Sequence, residues 1–158
     1  MDAKRELLRH TLATLVYRAV KPMRDIPPRF GKMRAGEDCR SAAEIVAHMG
    51  DLLDWAFTAA QGNPVWNNSE PESFTKDAAR FFAAAKSLDD YLASGAPLGC
   101  PTEKLFQGPI ADALTHVGQL ATLRRLAGAP VRGENYFVAD IQSGRVGPDQ
   151  APPNREFD

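Results

Sequence analysis

Apolar side chains recur at alternating spacings of three and four residues in four stretches of this chain. Such spacing places them on one face of a helix, so each stretch predicts an amphipathic helix. The first helix is predicted from about Lys4 to Arg24, the second from Ser41 to a stop at Gly62, the third from Ser73 or Thr75 to Gly95, and the fourth from about Pro109 to Gly128.

Residues with known preferences for helix ends support these bounds. Ser41 is followed three residues later by Glu44, which is the spacing of a capping box. Pro22 ends the first helix, because proline lacks an N–H group and clashes with the preceding turn. Gly95 fits a C-terminal cap, and Pro109 suits the first turn of a helix.

The remainder of the chain shows neither strand alternation nor an internal repeat. Four helices joined by loops of this length predict an all-α fold, a four-helix bundle. A chain of 158 residues is long enough for one domain with a core, and residues 1–143 are predicted to form it. Residues 144–158 are rich in proline and polar groups and predict an irregular, loosely ordered C-terminal tail.

Two of the four helices carry polar residues at positions predicted to face the core. A buried imidazole or carboxylate costs free energy unless it is paired or coordinated, so these residues need partners. The predicted core positions are Leu8, Leu12, Leu15 and Ala19 in the first helix; Ile45, His48, Leu52, Trp55 and Ala59 in the second; Phe74, Ala78, Phe81, Ala85, Leu88 and Leu92 in the third; and Asp112, His116, Gln119, Leu123 and Leu126 in the fourth.

Coordination of a metal ion is one way to satisfy these groups. Asp112 and His116 are four residues apart, so they project side by side from one helix face. His48, from a facing helix, would supply a third ligand. Two histidines and a carboxylate with open positions suit catalytic zinc or a ferrous site. Gln119, one turn beyond His116, and Asp51, three residues beyond His48, are candidates to hold the ligands from behind.

A structural interpretation competes with the metal site. Asp112 and His116 could form a plain ion pair at a partly exposed helix end. His48 could be a core histidine that is bonded to a backbone carbonyl or to Asp51. Gly50 and Gly118 flank the histidines and are expected to let helices approach closely.

Five other residues with reactive or aromatic side chains are assigned ordinary roles. His10 lies off the predicted core face of the first helix and is expected to be exposed. Cys39 and Cys100 lie in loops without a neighbouring base and are expected to be free thiols. Trp55 is predicted to belong to the core. Trp66 is predicted to pack, with a place at the mouth of the site as the alternative.

Composition excludes several classes of protein. The chain has 19 basic and 20 acidic residues, and this balance argues against duplex nucleic acid as a partner. The first residues are charged and do not form a secretory signal, and no apolar run approaches the length of a membrane span. Two cysteines cannot form a disulfide framework. These features predict a cytoplasmic protein without a membrane partner.

Two stretches resemble signature segments of the DinB-like superfamily. Residues 113–128, which contain His116 and end in a leucine-rich turn and a glycine, are similar to the last helix of these proteins. Residues 43–49 resemble the second-helix signature, in which a histidine follows an apolar turn. The likeness extends over residues 4–128 in the length and order of the helices.

The resemblance implies a four-helix bundle that holds a divalent metal, often zinc or nickel, with three residues. His48 matches the ligand on the second helix and His116 matches the last one. The position between them is histidine in most members, whereas here it is Asp112. A branch that resembles mycothiol-dependent isomerases has a carboxylate there. The chemistry of the ligands also accommodates iron.

The resemblance further implies a small-molecule substrate and a homodimer. The implied activity is that of a low-molecular-weight-thiol-dependent transferase or isomerase, or of a hydrolase. An alanine-rich surface at residues 83–85 would pack against a second copy. The alternative is a non-enzymatic bundle for dimerisation or partner binding, with a vestigial metal site. Six basic residues could hold the carboxylates of a thiol or form a solvated surface: Arg18, Lys21, Arg24, Arg29, Lys32 and Arg34.

Overall fold

The computed structural model describes residues 2–157 and confirms an all-α, four-helix fold. Three helices are continuous, and the fourth consists of two segments joined by a π-helical turn at Phe106–Ile110. The α-helices are α1 at Ala3–Met23, α2 at Ala42–Ala60, α3 at Phe74–Ala93, α4 at Thr102–Leu105 and α5 at Ala111–Leu126. No helix within residues 2–157 has both the length and the apolar character needed to cross a membrane.

The predicted helix caps are present. The Ser41 hydroxyl accepts a hydrogen bond from the Glu44 N–H at 3.2 Å, and the Glu44 carboxylate accepts one from the Ser41 N–H at 2.6 Å. Ser73 caps the first turn of α3. Gly95 follows the end of α3 with a φ of +74°, a conformation that glycine adopts without steric cost.

The fourth helix begins earlier than the sequence predicts. It starts at Thr102, and Pro109 lies inside it rather than in its first turn. In a regular α-helix the proline ring would clash with the carbonyl of Leu105 and leave it without a donor. The wider π turn relieves that conflict, so the helical path continues through the proline.

The helices run up, down, down and up. Gly31 lies against Ala43 and Phe74, so the first turns of α2 and α3 meet at the same end of the molecule and these helices are parallel. At that end the Arg124 guanidinium near the end of α5 donates to the Arg24 carbonyl just after α1 at 2.7 Å. Helices α1 and α5 are therefore parallel to each other and antiparallel to the central pair.

A parallel pair of helices needs a connection that returns along its length. Residues 61–73, here called the crossover segment, make this return beside α2. The Val65 N–H donates to the Thr58 hydroxyl at 3.0 Å, and the Ser69 hydroxyl donates to Asp51 at 2.7 Å. Thirteen extended residues reach about 43 Å, which exceeds the roughly 28 Å of a 19-residue helix. The segment thus lies against the face of α2 that carries His48.

The core positions predicted for α1 and α3 are all buried, but those predicted for α5 are only partly correct. Leu126 is 57% exposed, and Asp112 and Gln119 lie at the edge of the helix contact. The core face is rotated because the guanidinium of Arg124 is buried among backbone carbonyls and fills a place that the sequence assigns to an apolar side chain. The buried residues of α5 are Ala113, His116, Val117, Leu120, Leu123 and Arg124.

The segment after α5 lies along the bundle. Strand β1 at Gly133–Glu134 pairs in antiparallel register with β2 at Glu156–Phe157. Val146 is buried in the main core, and the Lys21 ammonium on α1 contacts the Glu156 carboxylate at 2.7 Å. That residues 144–158 are loosely ordered is a statement about motion, and it stays a prediction. The segment nevertheless makes defined contacts with the core and with α1.

Candidate metal centre

The antiparallel packing of α2 and α5 brings together the three residues that the sequence predicts as ligands. His48 projects from the middle of α2, and Asp112 and His116 project from the first two turns of α5. One ligand atom from each lies within 4.8 Å of the other two. The imidazole of His116 is buried, that of His48 is largely buried, and the carboxylate of Asp112 is half exposed. The cluster therefore has one open side.

Distances within the cluster distinguish between coordination and direct hydrogen bonding. The Nε2 atom of His48 lies 3.5 Å from one oxygen of Asp112, and Nε2 of His116 lies 3.5 Å from the other oxygen. Hydrogen bonds of this kind are shorter, at about 2.7–3.2 Å. Ligand atoms on a tetrahedral zinc ion lie about 3.3 Å apart, as bond lengths near 2.0–2.1 Å require. Two of the spacings in the cluster are close to those around a shared cation, and the full set of ligand atoms lies within 4.8 Å.

Electrostatics keep His48 in the form that binds metal. Burial lowers its pKa, and the positive charge of Arg40 lowers it further, against an opposing effect of Asp112. A neutral imidazole has a free lone pair for a metal ion, whereas a plain ion pair with Asp112 requires the protonated ring. The lowered pKa thus disfavours an ion pair between His48 and Asp112.

Gln119 orients His116 from behind. Its Oε1 atom lies 2.7 Å from Nδ1 of His116. With the amide oxygen accepting, Nδ1 carries the proton, and the lone pair of Nε2 faces Asp112. Metal-bound histidines in proteins commonly have such a second hydrogen bond. The residue that the sequence places behind the ligands is therefore in contact with one of them.

Asp51 does not contact His48, although the sequence suggests it as a partner. Its carboxylate accepts hydrogen bonds from the N–H and hydroxyl of Ser69 and from the Arg80 guanidinium. Its oxygens are occupied by the crossover segment and by α3, so they do not reach His48. The expected role of the glycines also differs, because the space at Gly50 is filled by Arg80 and nothing lies within 4 Å of a Cβ placed at Gly118.

Two tryptophan rings extend from His48 along one wall of the cluster. The Trp66 ring is 5.7 Å from the His48 ring and 5.9 Å from the Trp55 ring, nearly perpendicular to the second. Trp66 is 47% exposed, so it borders the site rather than packing in the core. Its position depends on the crossover segment, and nothing in its immediate sequence indicates that path.

Cavities open on both sides of the cluster. One of about 470 Å³ is lined by Trp55, Gly108, Asp112 and their neighbours. The other, of about 790 Å³, is here called the Arg40 cavity, and its lining residues are Ala35, Asp38, Cys39, Arg40, Ile45, Thr115, Gly118, Gln119, Thr122 and Leu123. Both are of the size that small-molecule sites have.

The basic residues predicted to hold a substrate line neither of these cavities. Arg18 and Lys21 border a separate cavity near Tyr136, and Arg34 contacts Glu44. Arg40, which the sequence does not single out, is the basic residue of the large cavity. The sequence around a charged residue in a loop does not indicate which surface the side chain will face. The position of Arg40 therefore becomes known only from the fold.

The remaining residues of interest have the places that the sequence predicts, with one addition. His10 is exposed on α1, far along the chain from the cluster. Both cysteines are free thiols, and burial raises the pKa of Cys100. Cys39 lies in the wall of the Arg40 cavity.

Comparisons with known proteins add no further identification. No protein-family model, curated protein or solved structure matches this chain. The site is therefore interpreted from its own geometry.

Proposed function

We propose that this protein is a metal-dependent enzyme of the DinB-like kind, in which His48, Asp112 and His116 hold a divalent ion. The observation that carries the proposal is the convergence of these side chains, with each carboxylate oxygen 3.5 Å from one imidazole nitrogen. Two neutral donors and one carboxylate leave a divalent ion with a net positive charge. Zinc, nickel and iron all accept this ligand set, and the resemblance favours zinc or nickel.

The chemistry proposed for the site is activation of a small thiol for transfer or isomerisation, or of water for hydrolysis. When bound, the ion supplies a Lewis acid that lowers the pKa of such a group. The chain's own residues position the reaction. Gln119 fixes the ring of His116, the buried sides of both imidazoles exclude water, and the open side at Asp112 admits the substrate.

A direct test is titration of the untagged, metal-stripped protein with Co²⁺ or Ni²⁺. The chain has two tryptophans, of which Trp66 contacts His48 and Trp55 contacts Trp66, so quenching of intrinsic fluorescence reports an ion in the cluster. We expect saturation at one ion per chain. His48→Gln and His116→Gln should weaken binding more than about 100-fold, and Gln119→Leu about 10–100-fold.

His10→Gln is the matched control, since it removes an exposed histidine far from the cluster. It should leave the titration unchanged. Circular dichroism of every variant should remain helical. A wild-type protein that binds neither ion, or whose binding survives loss of His48 and loss of His116, would contradict the proposal.

A further inference from the structure

The Arg40 cavity is joined to the metal cluster by shared residues. Gln119 lines the cavity and also contacts His116, and Thr115 lines both this cavity and the one beside Asp112. The Arg40 cavity is therefore the neighbour of the cavity at the open side of the cluster, and the two meet at Thr115. The side chains that line the cavity determine which molecules can bind in it.

Arg40 is an uncommitted cation in this wall. Within residues 2–157 its guanidinium makes neither a hydrogen bond nor an ion pair. By contrast, Arg34 is paired with Glu44, and Arg80 is paired with Asp51 and Asp54. Arg40 directly precedes Ser41, the N-cap of α2, which is the helix that carries His48.

The geometry of the Arg40 guanidinium, rather than the net charge of the wall, favours a carboxylate. A guanidinium presents paired N–H groups that match the two oxygens of a carboxylate. Asp38 lies in the same wall and also lacks an ion pair within residues 2–157, so its negative charge equals the positive charge of Arg40 and opposes a second negative charge on the ligand. A doubly charged phosphate would meet only one cation and one opposing carboxylate.

We propose that the Arg40 cavity binds the carboxylate of a small substrate while another donor atom of that substrate reaches the metal cluster. Arg40 is then the residue that selects acidic substrates over neutral ones, and Asp38 discriminates against more highly charged anions. This inference rests on the proposed metal-dependent function, and it adds the class of substrate: a small monocarboxylate with a metal-binding group.

The test uses the cobalt-loaded protein and three thiols of similar size under anaerobic conditions. The probes are 3-mercaptopropionate, which carries a carboxylate, 2-mercaptoethanol, which is neutral, and cysteamine, which carries an ammonium group. Thiolate-to-cobalt absorption reports binding of each. We expect 3-mercaptopropionate to bind about tenfold more tightly than 2-mercaptoethanol, because a charge-assisted hydrogen bond adds at least that factor. Cysteamine should show no such gain.

Variants separate the role of Arg40 from general effects of charge. Arg40→Gln should bring the ratio of the two affinities to about one and leave the affinity for 2-mercaptoethanol unchanged. Arg125→Gln, which removes the same charge from an exposed position on α5 outside the cavity, should keep the ratio. Because each ratio is compared between variants, differences in acidity among the thiols cancel.

The outcomes distinguish failure of the carboxylate site from failure of the proposed metal site. Cobalt bound with the expected absorption, but with equal affinity for all three thiols or a ratio that survives Arg40→Gln, overturns the carboxylate site and leaves the metal site standing. Preference for cysteamine would also overturn it. Failure of the protein to bind cobalt would overturn both.

Discussion

At the scale of single residues, two buried carboxylates of α3 have opposite surroundings. Asp89 receives two hydrogen bonds of 3.0 Å from the guanidinium of Arg9, one to each oxygen. Asp77 is also buried, but its Oδ2 atom has no hydrogen-bond partner within residues 2–157. Burial raises the pKa of Asp77 against the opposing effect of Arg80. Asp77 therefore reduces the stability of the fold when it is ionised.

Asp77→Asn should raise the free energy of unfolding at pH 7 by about 1 kcal/mol, since it removes an ionised group with an unsatisfied oxygen. The folded-state pKa lies above the unfolded value near 3.9, so the cost of ionisation is complete above the folded pKa and disappears as pH falls through it. The difference between variant and wild type should therefore shrink from pH 7 to pH 4. Urea unfolding at several pH values measures it.

Asp89→Asn serves as the control, because it breaks a bidentate ion pair, whereas Asp77→Asn removes the charge from a carboxylate that has an unpaired oxygen. It should destabilise the protein by about 3 kcal/mol at pH 7. If both substitutions destabilise it equally, the environment assigned to Asp77 is wrong.

The residues of the candidate site differ in whether the neighbouring sequence predicts that they belong to it. His48, Asp112 and His116 could be predicted because polar groups at core positions of a helix are conspicuous in the sequence. Gln119 could be predicted from its helical spacing to His116. Arg40 could not be predicted as a site residue, and Trp66 only as an alternative, because both lie outside the periodic stretches, where the sequence does not encode the path of the chain.

At the scale of elements, the sequence predicted the number of helices and most of their ends but not their relative directions. Helices α2 and α3 carry clear core faces, yet a connection of this length can join them in either direction. The contacts of Ser69 with Asp51 and of Val65 with Thr58 select the parallel arrangement, and these pairs become neighbours only after folding. Proline at position 109 was misleading for a related reason, since the π turn that accommodates it depends on packing on both sides.

The π turn connects two helical segments, α4 and α5, that bury different numbers of side chains in the core. Helix α5 buries six residues, whereas α4 buries Leu105. Deleting Gln107 rotates α4 and α5 by about 100° relative to each other, and the weakly held α4 should be the one that moves. We expect a loss of about 2 kcal/mol from exposure of Leu105, while cobalt affinity stays within about threefold.

Gln107→Ala, which keeps the length of the turn, is the matched control and should change neither property, because Gln107 is exposed. Urea unfolding and the cobalt titration together provide the measurement. Loss of cobalt binding in the deletion variant would mean that the turn fixes the ligands instead of isolating them.

At the scale of the whole molecule, removal of residues 144–158 tests whether the chain consists of a domain and a separate tail. Removing them exposes the surface around Val146 and releases the Lys21 contact with Glu156. Truncation after Ser143 should lower the free energy of unfolding by about 3 kcal/mol, mostly through lost apolar burial. A loosely held tail predicts no change, so urea unfolding distinguishes the two.

Metal binding should survive this truncation, since no residue after 143 contributes to the cluster within the described part of the chain. A truncated protein with wild-type stability would support the sequence-based view of the tail. One that folds but binds no cobalt would show a dependence of the site on the tail that the contacts do not explain.

A homodimer stays a prediction, and its proposed surface is smaller than the sequence suggested. Ala84 and Ala85 are buried within the bundle, so Ala83 alone of the three faces outward. Ala-rich stretches at helical spacing serve internal and external packing equally well, and the sequence does not separate the two uses.

The pairing of β2 with β1 near Lys21 has a mechanical consequence. Lys21 lies about 26 Å along α1 from Lys4, so the two ends of the described chain are attached near opposite ends of one helix. A force applied between Asp2 and Phe157 would pull along the long axis of the bundle. It would first rupture the two-residue strand and its ion pairs, and the helices would yield in a later, stronger event.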